Sequence, residues 1–442
     1  MRHRPLLVLL LALAASSLAA PSGALASSLF LIKGGGWGNG VGMSQWGAEG
    51  YALHGWDYKR ILAHYYPQTT ISVVAQRPVR VLLAEARDRV TVASSAPYLL
   101  VDARGKKVHV PAKALPLTPR LLLGRQHLAP PVEIVPGAQL LTFDGAGYRG
   151  SLTLLRTGGK LSVVNTLPLE LYLRGVVPSE MPGHWGTEAY KAQAVAARSY
   201  ALATLRPASP FDLYPDNRSQ MYGGVGAEQA ADDAAVAATA GQVLTYNGQV
   251  ITAYYDSNSG GRTAAVEEVF AGVKPVPYLV SVRDPYDSLS PFHRWRVALR
   301  ADGLSARFGM KVDDVRVQHA DSGVADSVVL VGPHARKTLS AVEFSQALGL
   351  RSVRFSVSVV SLADAPVAAR RAQPVRLHGF LRDIGGVVLQ QRLRSGTWAQ
   401  LAHVRARPDG RFTATVRPQF TTAYRLAVER VPGPALEIAV RR

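Results

Sequence analysis

Residues 176–200 decide how this chain is read. Val176-Val177-Pro178-Ser179-Glu180-Met181-Pro182 runs shortly into Lys191-Ala192-Gln193-Ala194-Val195-Ala196-Ala197-Arg198-Ser199-Tyr200. Two prolines fix φ on either side of one carboxylate. Val176, Val177, Met181 and Trp185 surround it with apolar side chains. A carboxylate held in such a setting has its pKa raised by desolvation, as a general acid requires. A helix start just downstream opposes this, because a helix N-terminus favours the charged form. Desolvation is the larger effect, so a net rise is expected if Glu180 is buried. The plain alternative is a helix-entry Glu that only stabilises the dipole. The spacing predicts an alanine-rich helix over 187–205, ended by Pro207. Ala192, Val195, Ala196, Ser199 and Ala203 share one small-residue face, which permits close approach to a sheet. Gln193, Ala197 and Tyr200 line another face. Gln and Tyr there offer hydrogen bonds to a sugar, although ordinary surface polarity gives the same pattern.

Working outward, a helix is predicted over 227–240, stopping at Gly241. A hairpin of 243–246 with 249–255 turns at Asn247-Gly248. Upstream, residues 73–165 alternate with period two and carry turn signals, which reads as a small β domain. Before it, residues 27–72 form a block with a glycine-dense loop and two helices, 44–53 and 58–66. Downstream, a Pro/Ala/Arg linker over 365–374 leads to short strands and Gly turns over 366–442, read as a basic Ig-like β-sandwich. The fold expectation is α+β: a mixed catalytic core over 166–362 with an inserted β domain and a C-terminal β-sandwich, the 27–72 block packing on the core.

Composition narrows the function. The 442 residues are 48% hydrophobic and 18% charged, which excludes wholesale disorder. The absence of cysteine excludes disulfides, thiolate metal sites and a cysteine nucleophile. Arg2 and Arg4 precede an apolar run ending near Ala24-Leu25-Ala26, so residues 1–26 read as a secretory signal peptide. Export implies the cell envelope, periplasmic or extracellular. The formal net charge of +19 implies an acidic partner. The tail over 366–442 carries fourteen Arg against Asp383, Asp409, Glu429 and Glu437. An anionic wall polymer or a membrane surface suits this charge, and export argues against nucleic acid. The eleven His are scattered, with no H-E-x-x-H or G-x-S-x-G. No metal and no cofactor is expected.

Two further stretches carry chemistry. Ser257-Asn258-Ser259-Gly260-Gly261-Arg262-Thr263 puts hydroxyl and amide side chains beside two glycines, suiting a loop that lets a polar ligand approach the backbone; a simple turn reads equally well. Gly34-Gly35-Gly36-Trp37-Gly38-Asn39-Gly40-Val41-Gly42, followed by Met43-Ser44-Gln45-Trp46, combines aromatic rings with flexible backbone. That suits a sugar-stacking surface or a tight core turn.

Together these stretches resemble the stage II sporulation protein D family (SpoIID/LytB). The residues 178–182 and 191–201 are similar to its hallmark, Ser219-Gln220-Met221-Tyr222-Gly223-Gly224 to its S-Q-x-Y-x-G segment, and 257–263 to its S-x-S-G-G-x-T loop. Asp284-Pro285 with Trp295 resembles its D-P…W segment. Residues 36–47 resemble its glycine signature, which Tyr65-Tyr66-Pro67 continues. The resemblance implies a secreted lytic transglycosylase acting on peptide-stripped peptidoglycan glycan strands, with Glu180 as general acid and base. It also implies substrate contacts from Ser179, Gln193, Arg198, Tyr200, Ser219, Gln220, Tyr222, Ser257, Ser259, Gly260, Gly261, Asn39, Ser44 and Gln45. The LytB side of the family implies an alternative, a non-catalytic wall-binding modifier of a cell-wall amidase. Three departures stand out. The glycine signature lies at the N-terminus, whereas in sporulation proteins it closes the domain. Asn39 replaces a His of that signature. Tyr214 and Ser219 occupy the stretch where some members carry zinc-binding cysteines. A second carboxylate, needed for ordinary hydrolysis, is absent from the motif; Glu188, Asp212 and Asp256 are the nearest candidates.

Overall fold

A computed structural model describes residues 28–181, 183–363 and 368–441. The export segment expected over 1–26 lies outside the described residues, as do Pro182 and part of the expected linker. Helices and several mixed sheets make the chain α+β.

The strand Leu29–Gly34 is paired on both sides, antiparallel to Trp295–Arg300 and to Phe355–Leu362. Its side chains alternate between two cores, because successive strand residues point to opposite faces. Phe30 and Ile32 enter the helix-rich core. Leu29 and Leu31 enter the core of the tail. The sheet then extends from Phe355–Leu362 to the tail strands Val375–Arg382 and Arg411–Val416. The arginine-rich tail is therefore continuous with the sheet that carries the N-terminal strand. Its remaining strands form a second sheet over the same core.

The region read as a small β domain forms a six-stranded and a four-stranded sheet around its own apolar core. Two of its edges reach further than the sequence suggested. Thr70–Val73 pairs with Gln242–Tyr246 instead. Lys160–Pro168 runs directly into a helix.

Five helices frame the site: α1 (Gln45–Leu53), α2 (Tyr58–Tyr65), α3 (Leu169–Glu180), α4 (Thr187–Ala203) and α5 (Ala230–Ala238). In α3 the buried residues Leu169, Tyr172, Leu173, Val176 and Val177 recur at helical spacing and make one apolar stripe. The sequence placed Glu180 at a helix entrance; it is instead the last residue of α3. Pro178 sits in the final turn, where its missing N–H and the chain's departure at Met181 end the helix. The macrodipole at this end opposes a carboxylate rather than favouring it.

The alanines of α4 serve more than one face. Ala189, Ala192, Ala194, Ala196, Ala197 and Ala201 are all fully buried, and α1, α2, α3, α5 and the strand Gln242–Tyr246 pack around the helix. Asn247 and Gly248 take positive φ, as a tight hairpin turn needs. The second hairpin strand is only Gln249–Val250, shorter than expected. Tyr255-Asp256 instead pairs in parallel with Met43-Ser44.

Arg198 locks α4 to α3. Its Nε and Nη2 donate to the two oxygens of Glu170 at 2.8 and 2.6 Å. The remaining donors reach the carbonyls of Ala194, Gln242 and Val236. All five guanidinium N–H groups are thus engaged, so Arg198 is not the substrate contact the motif implied. Replacing Arg198 with Met should strand the Glu170 carboxylate and cost about 3 kcal/mol in urea unfolding; a loss below about 1 kcal/mol, typical of a surface pair, would show that the pair is not structural.

Candidate functional site

Glu180 lies where three separated stretches of chain meet. The Met221 N–H donates to its Oε1 at 2.7 Å. Tyr255 and Gln45 provide its side-chain partners. The Gln45 amide nitrogen is buried and closes no well-aligned hydrogen bond among the described residues. It faces the carboxyl while keeping a donor unspent. Tyr172 and Tyr200 stand close enough for their ionisation to be opposed by the Glu180 charge.

The carboxyl is crowded by protein yet keeps part of its surface open to solvent. Desolvation pushes its pKa above the ordinary glutamate value, and the Met221 N–H bond with the neighbouring Tyr255 and Gln45 side chains opposes the rise without cancelling it. Glu180 is thus biased towards the protonated form while three donors wait for the carboxylate.

Gln220 orients Tyr255. Its Nε2 donates to the Tyr255 hydroxyl at 2.7 Å and to the Ala197 carbonyl at 3.2 Å. Its Oε1 accepts from Tyr172 at 3.3 Å. With a lone pair of Tyr255 occupied by Gln220, the tyrosine proton is free to point at Glu180. Gln220 therefore acts through Tyr255. Trp46, next to Gln45, packs on Trp185 with ring centroids 4.8 Å apart. Both are part-exposed. The loop carrying Trp185 is tied down twice: Glu49 accepts from Gly186 N–H at 2.7 Å, and the Tyr190 hydroxyl bridges Trp185 N–H and the Gly183 carbonyl.

The other residues named from the sequence divide into near and remote. Ser179 adjoins Glu180, but its hydroxyl donates back to Gly175. The carbonyl of Ser257 accepts from Trp46 N–H at 3.0 Å, which sets Ser257 beside the start of α1. Ser44 caps α1 through Gly47 N–H. Tyr200 packs against Tyr254 and Tyr255. Tyr222 is nearly buried and donates to Asn165. The Ser219 hydroxyl accepts from Tyr214 N–H. Asn39 turns its side-chain oxygen to its own loop, accepting from Val41 N–H at 2.8 Å. Gln193 is fully buried, with neither amide atom partnered among the described residues, so it offers nothing to a sugar in an open groove.

The Ser259-Gly260-Gly261 loop is scaffold, contrary to the ligand-approach reading. Ser259 donates to Asp284 at 2.8 Å and to Asp287 at 3.1 Å, and both glycine N–H groups donate to Asp287. Gly260 has φ +74°, and a Cβ there would stand 2.5 Å from the Gly35 carbonyl carbon. The glycines let two loops cross backbone to backbone. Burial, with Asp287 alongside, raises the Asp284 pKa to about 7. Burial raises that of Asp256, which accepts from Gly40 N–H, to about 8.

None of the three alternative carboxylates joins Glu180. Glu188 pairs with Lys191 and caps Tyr58 N–H. Asp212 pairs with Arg80 through both oxygens. Asp256 faces Gly40. Sequence reasoning passed over Tyr172 and Tyr255 as site residues. Tyr172, Val176 and Glu180 recur every fourth residue along α3, a signal that was present. Tyr255 had no such signal, because it reaches Glu180 only through the pairing with Met43-Ser44.

Residues 157–246, which include α3, α4 and the Gln220 loop, match the Stage II sporulation protein family, SpoIID. The chain is 31% identical over 228 residues to stage II sporulation protein D of Bacillus subtilis, covering 46% of this chain and 64% of that protein. It is 40% identical over 136 residues to the amidase enhancer of Bacillus subtilis, covering 30% and 18%. An uncharacterized protein of Brachyspira hyodysenteriae is 41% identical over 144 residues, covering 32% and 39%. The chain thus spans less than two thirds of each of these relatives. A domain built on α3 and α4 around one carboxyl is what this chain shares with the SpoIID/LytB family, to which residues 157–246 are similar.

Two titrations follow. Tyr255→Phe removes a donor to the carboxylate, so the Glu180 pKa, read by carbon NMR of labelled glutamate, should rise further; a fall would mean the hydroxyl does not serve the charged form. Asp256 has a folded pKa of about 8, against about 3.9 unfolded. Its contribution to stability is complete below about pH 4 and is lost as pH climbs towards 8. Asp256→Asn should flatten the fall in melting temperature between about pH 5 and pH 9.

Proposed function

We propose that this chain is a lytic transglycosylase of peptidoglycan glycan strands, acting in the cell envelope after export, with Glu180 as its only acid and base. The observation that carries the reading is a raised-pKa carboxyl that accepts from Met221 N–H, with Tyr255 and Gln45 beside it and with Glu188, Asp212 and Asp256 committed elsewhere. Ordinary retaining or inverting hydrolysis uses two carboxyl groups. A transglycosylase needs one. Protonated Glu180 donates to the oxygen bridging MurNAc C1 and GlcNAc O4, and the C1–O4 bond breaks. The same group, now a carboxylate held by its three donors, accepts the proton of the MurNAc 6-hydroxyl as O6 bonds to C1. The products are a free GlcNAc 4-hydroxyl and a 1,6-anhydro end, and Glu180 returns protonated. Trp46, next to Gln45, and Trp185 pack together and offer flat apolar faces for sugar rings.

A second reading, a non-catalytic partner of a cell-wall amidase, is favoured by the likeness to an amidase enhancer and by Asn39 in place of the family His. Incubation with purified peptide-free glycan strands and mass spectrometry of the new ends separates the two. Anhydro ends from the unaltered chain, reduced at least about a hundredfold in Glu180→Gln, are expected. Reducing ends would mean hydrolysis. No cleavage by the unaltered chain would overturn the enzyme and leave the amidase partner. Because the protonated form starts the reaction, the rate should fall as pH rises through the raised Glu180 pKa.

A further inference from the structure

The tail holds a second candidate site, remote from Glu180 in sequence and built on different elements. Val375–Arg382 and Arg411–Val416 pair antiparallel, with His378 opposite Thr413 and Phe380 opposite Arg411. Strand alternation sends Leu377 and Phe412 into the tail core. It sends Arg376, His378, Arg411 and Thr413 outward, and all four are exposed. Arg407, on the turn before Arg411, completes the rim. These side chains and half-buried Phe380 line a cavity of about 790 Å³.

The charge of this cavity is uncompensated among the described residues. Arg376, Arg407 and Arg411 form no ion pair there, whereas Arg382 is held by Asp314 and Arg392 by Glu437. Asp409 lies on the turn before Arg411. It accepts from Arg411 backbone N–H at 3.0 Å and pairs with none of the three guanidinium groups. Like charges gathered on one surface repel and raise the local potential, which an anion relieves. Guanidinium forks match phosphate oxygens two at a time, and the Thr413 hydroxyl and His378 Nδ1, 3.3 Å apart, line the space between them. Phe380 gives the floor an apolar patch. It also lines an adjoining cavity of about 380 Å³ that runs on to His319, Asp383 and the Asp314-paired Arg316 and Arg382. The groove is therefore longer than one headgroup, and its recess suits a chain better than a flat surface.

We propose that this groove binds a polymer bearing repeated phosphate groups on a sugar or polyol chain, holding the protein on an anionic matrix. The test titrates the full chain with inorganic polyphosphate, with phosphatidylglycerol vesicles and with a single-stranded oligonucleotide, each at two salt concentrations. Polyphosphate should bind, more weakly at the higher salt. The triple replacement Arg376→Gln, Arg407→Gln, Arg411→Gln should weaken it at least about tenfold. An equal loss of charge at exposed Arg104, Arg120 and Arg125 should change it by less than about twofold. Arg407→Gln alone, on a turn, should already weaken binding if the triple variant melts early. Equal losses in both triple variants would reduce the effect to net charge. Vesicles or oligonucleotide bound through the three arginines, with polyphosphate unbound, would overturn the polymer in favour of a membrane or a nucleic acid.

Discussion

Two of the three groups around Glu180 depend on a two-residue parallel pairing, Met43-Ser44 with Tyr255-Asp256. On one side it starts α1, so that Gln45 faces the carboxyl. On the other it aims Tyr255 at the same group and turns Asp256 away, because neighbouring strand residues point to opposite faces. One pairing thus supplies two partners of the carboxyl and withholds a second carboxylate that would alter its chemistry. Such a short ladder has little hydrogen bonding of its own. Its position is held by what crosses behind it.

That support is the crossing of the glycine block with the Ser259-Gly260-Gly261 loop. Trp37 and Asn258 exchange backbone hydrogen bonds. The Ser352 hydroxyl donates to the Gly35 carbonyl and Trp295 Nε1 to the Gly36 carbonyl. Arg354 spans the carbonyls of Ser259, Arg262 and Ser322. Beneath lie Asp284 and Asp287, bridged by the Ser259 hydroxyl. Residues that resemble a ligand-binding loop in sequence are here the frame behind Gln45 and Tyr255. Their polar character reflects the need to satisfy backbone groups where loops are buried.

The strand Leu29–Gly34 explains why the glycine block works from the front of the chain. Paired on both sides and packed into two cores, it anchors the block before α1 begins. The same strand joins the helix-rich core to the arginine-rich tail. The strand that leads into the glycine block thus lies in the same sheet as Val375–Arg382 and Arg411–Val416, which carry the proposed groove.

The sequence by itself determined the α+β class, the helices α1, α2 and α4, the strand-rich middle region and the likeness to the SpoIID/LytB family, and it pointed to Glu180. Each rests on local information: apolar periodicity, proline and glycine placement, and ordered motifs. Tertiary structure alone decided the surroundings of Glu180. Its place at the end of α3 follows from the apolar stripe Leu169–Val177 continuing into a motif whose prolines read as a loop. The duties of Arg198, Gln193 and Ser259 also lay beyond reach, because a polar side chain looks the same in sequence whether it faces a sugar or a buried partner. Only the packing of α3 against α4, and of one glycine loop across another, distinguishes them, since burial decides whether a hydrogen-bonding group is spent on the fold or left for a ligand.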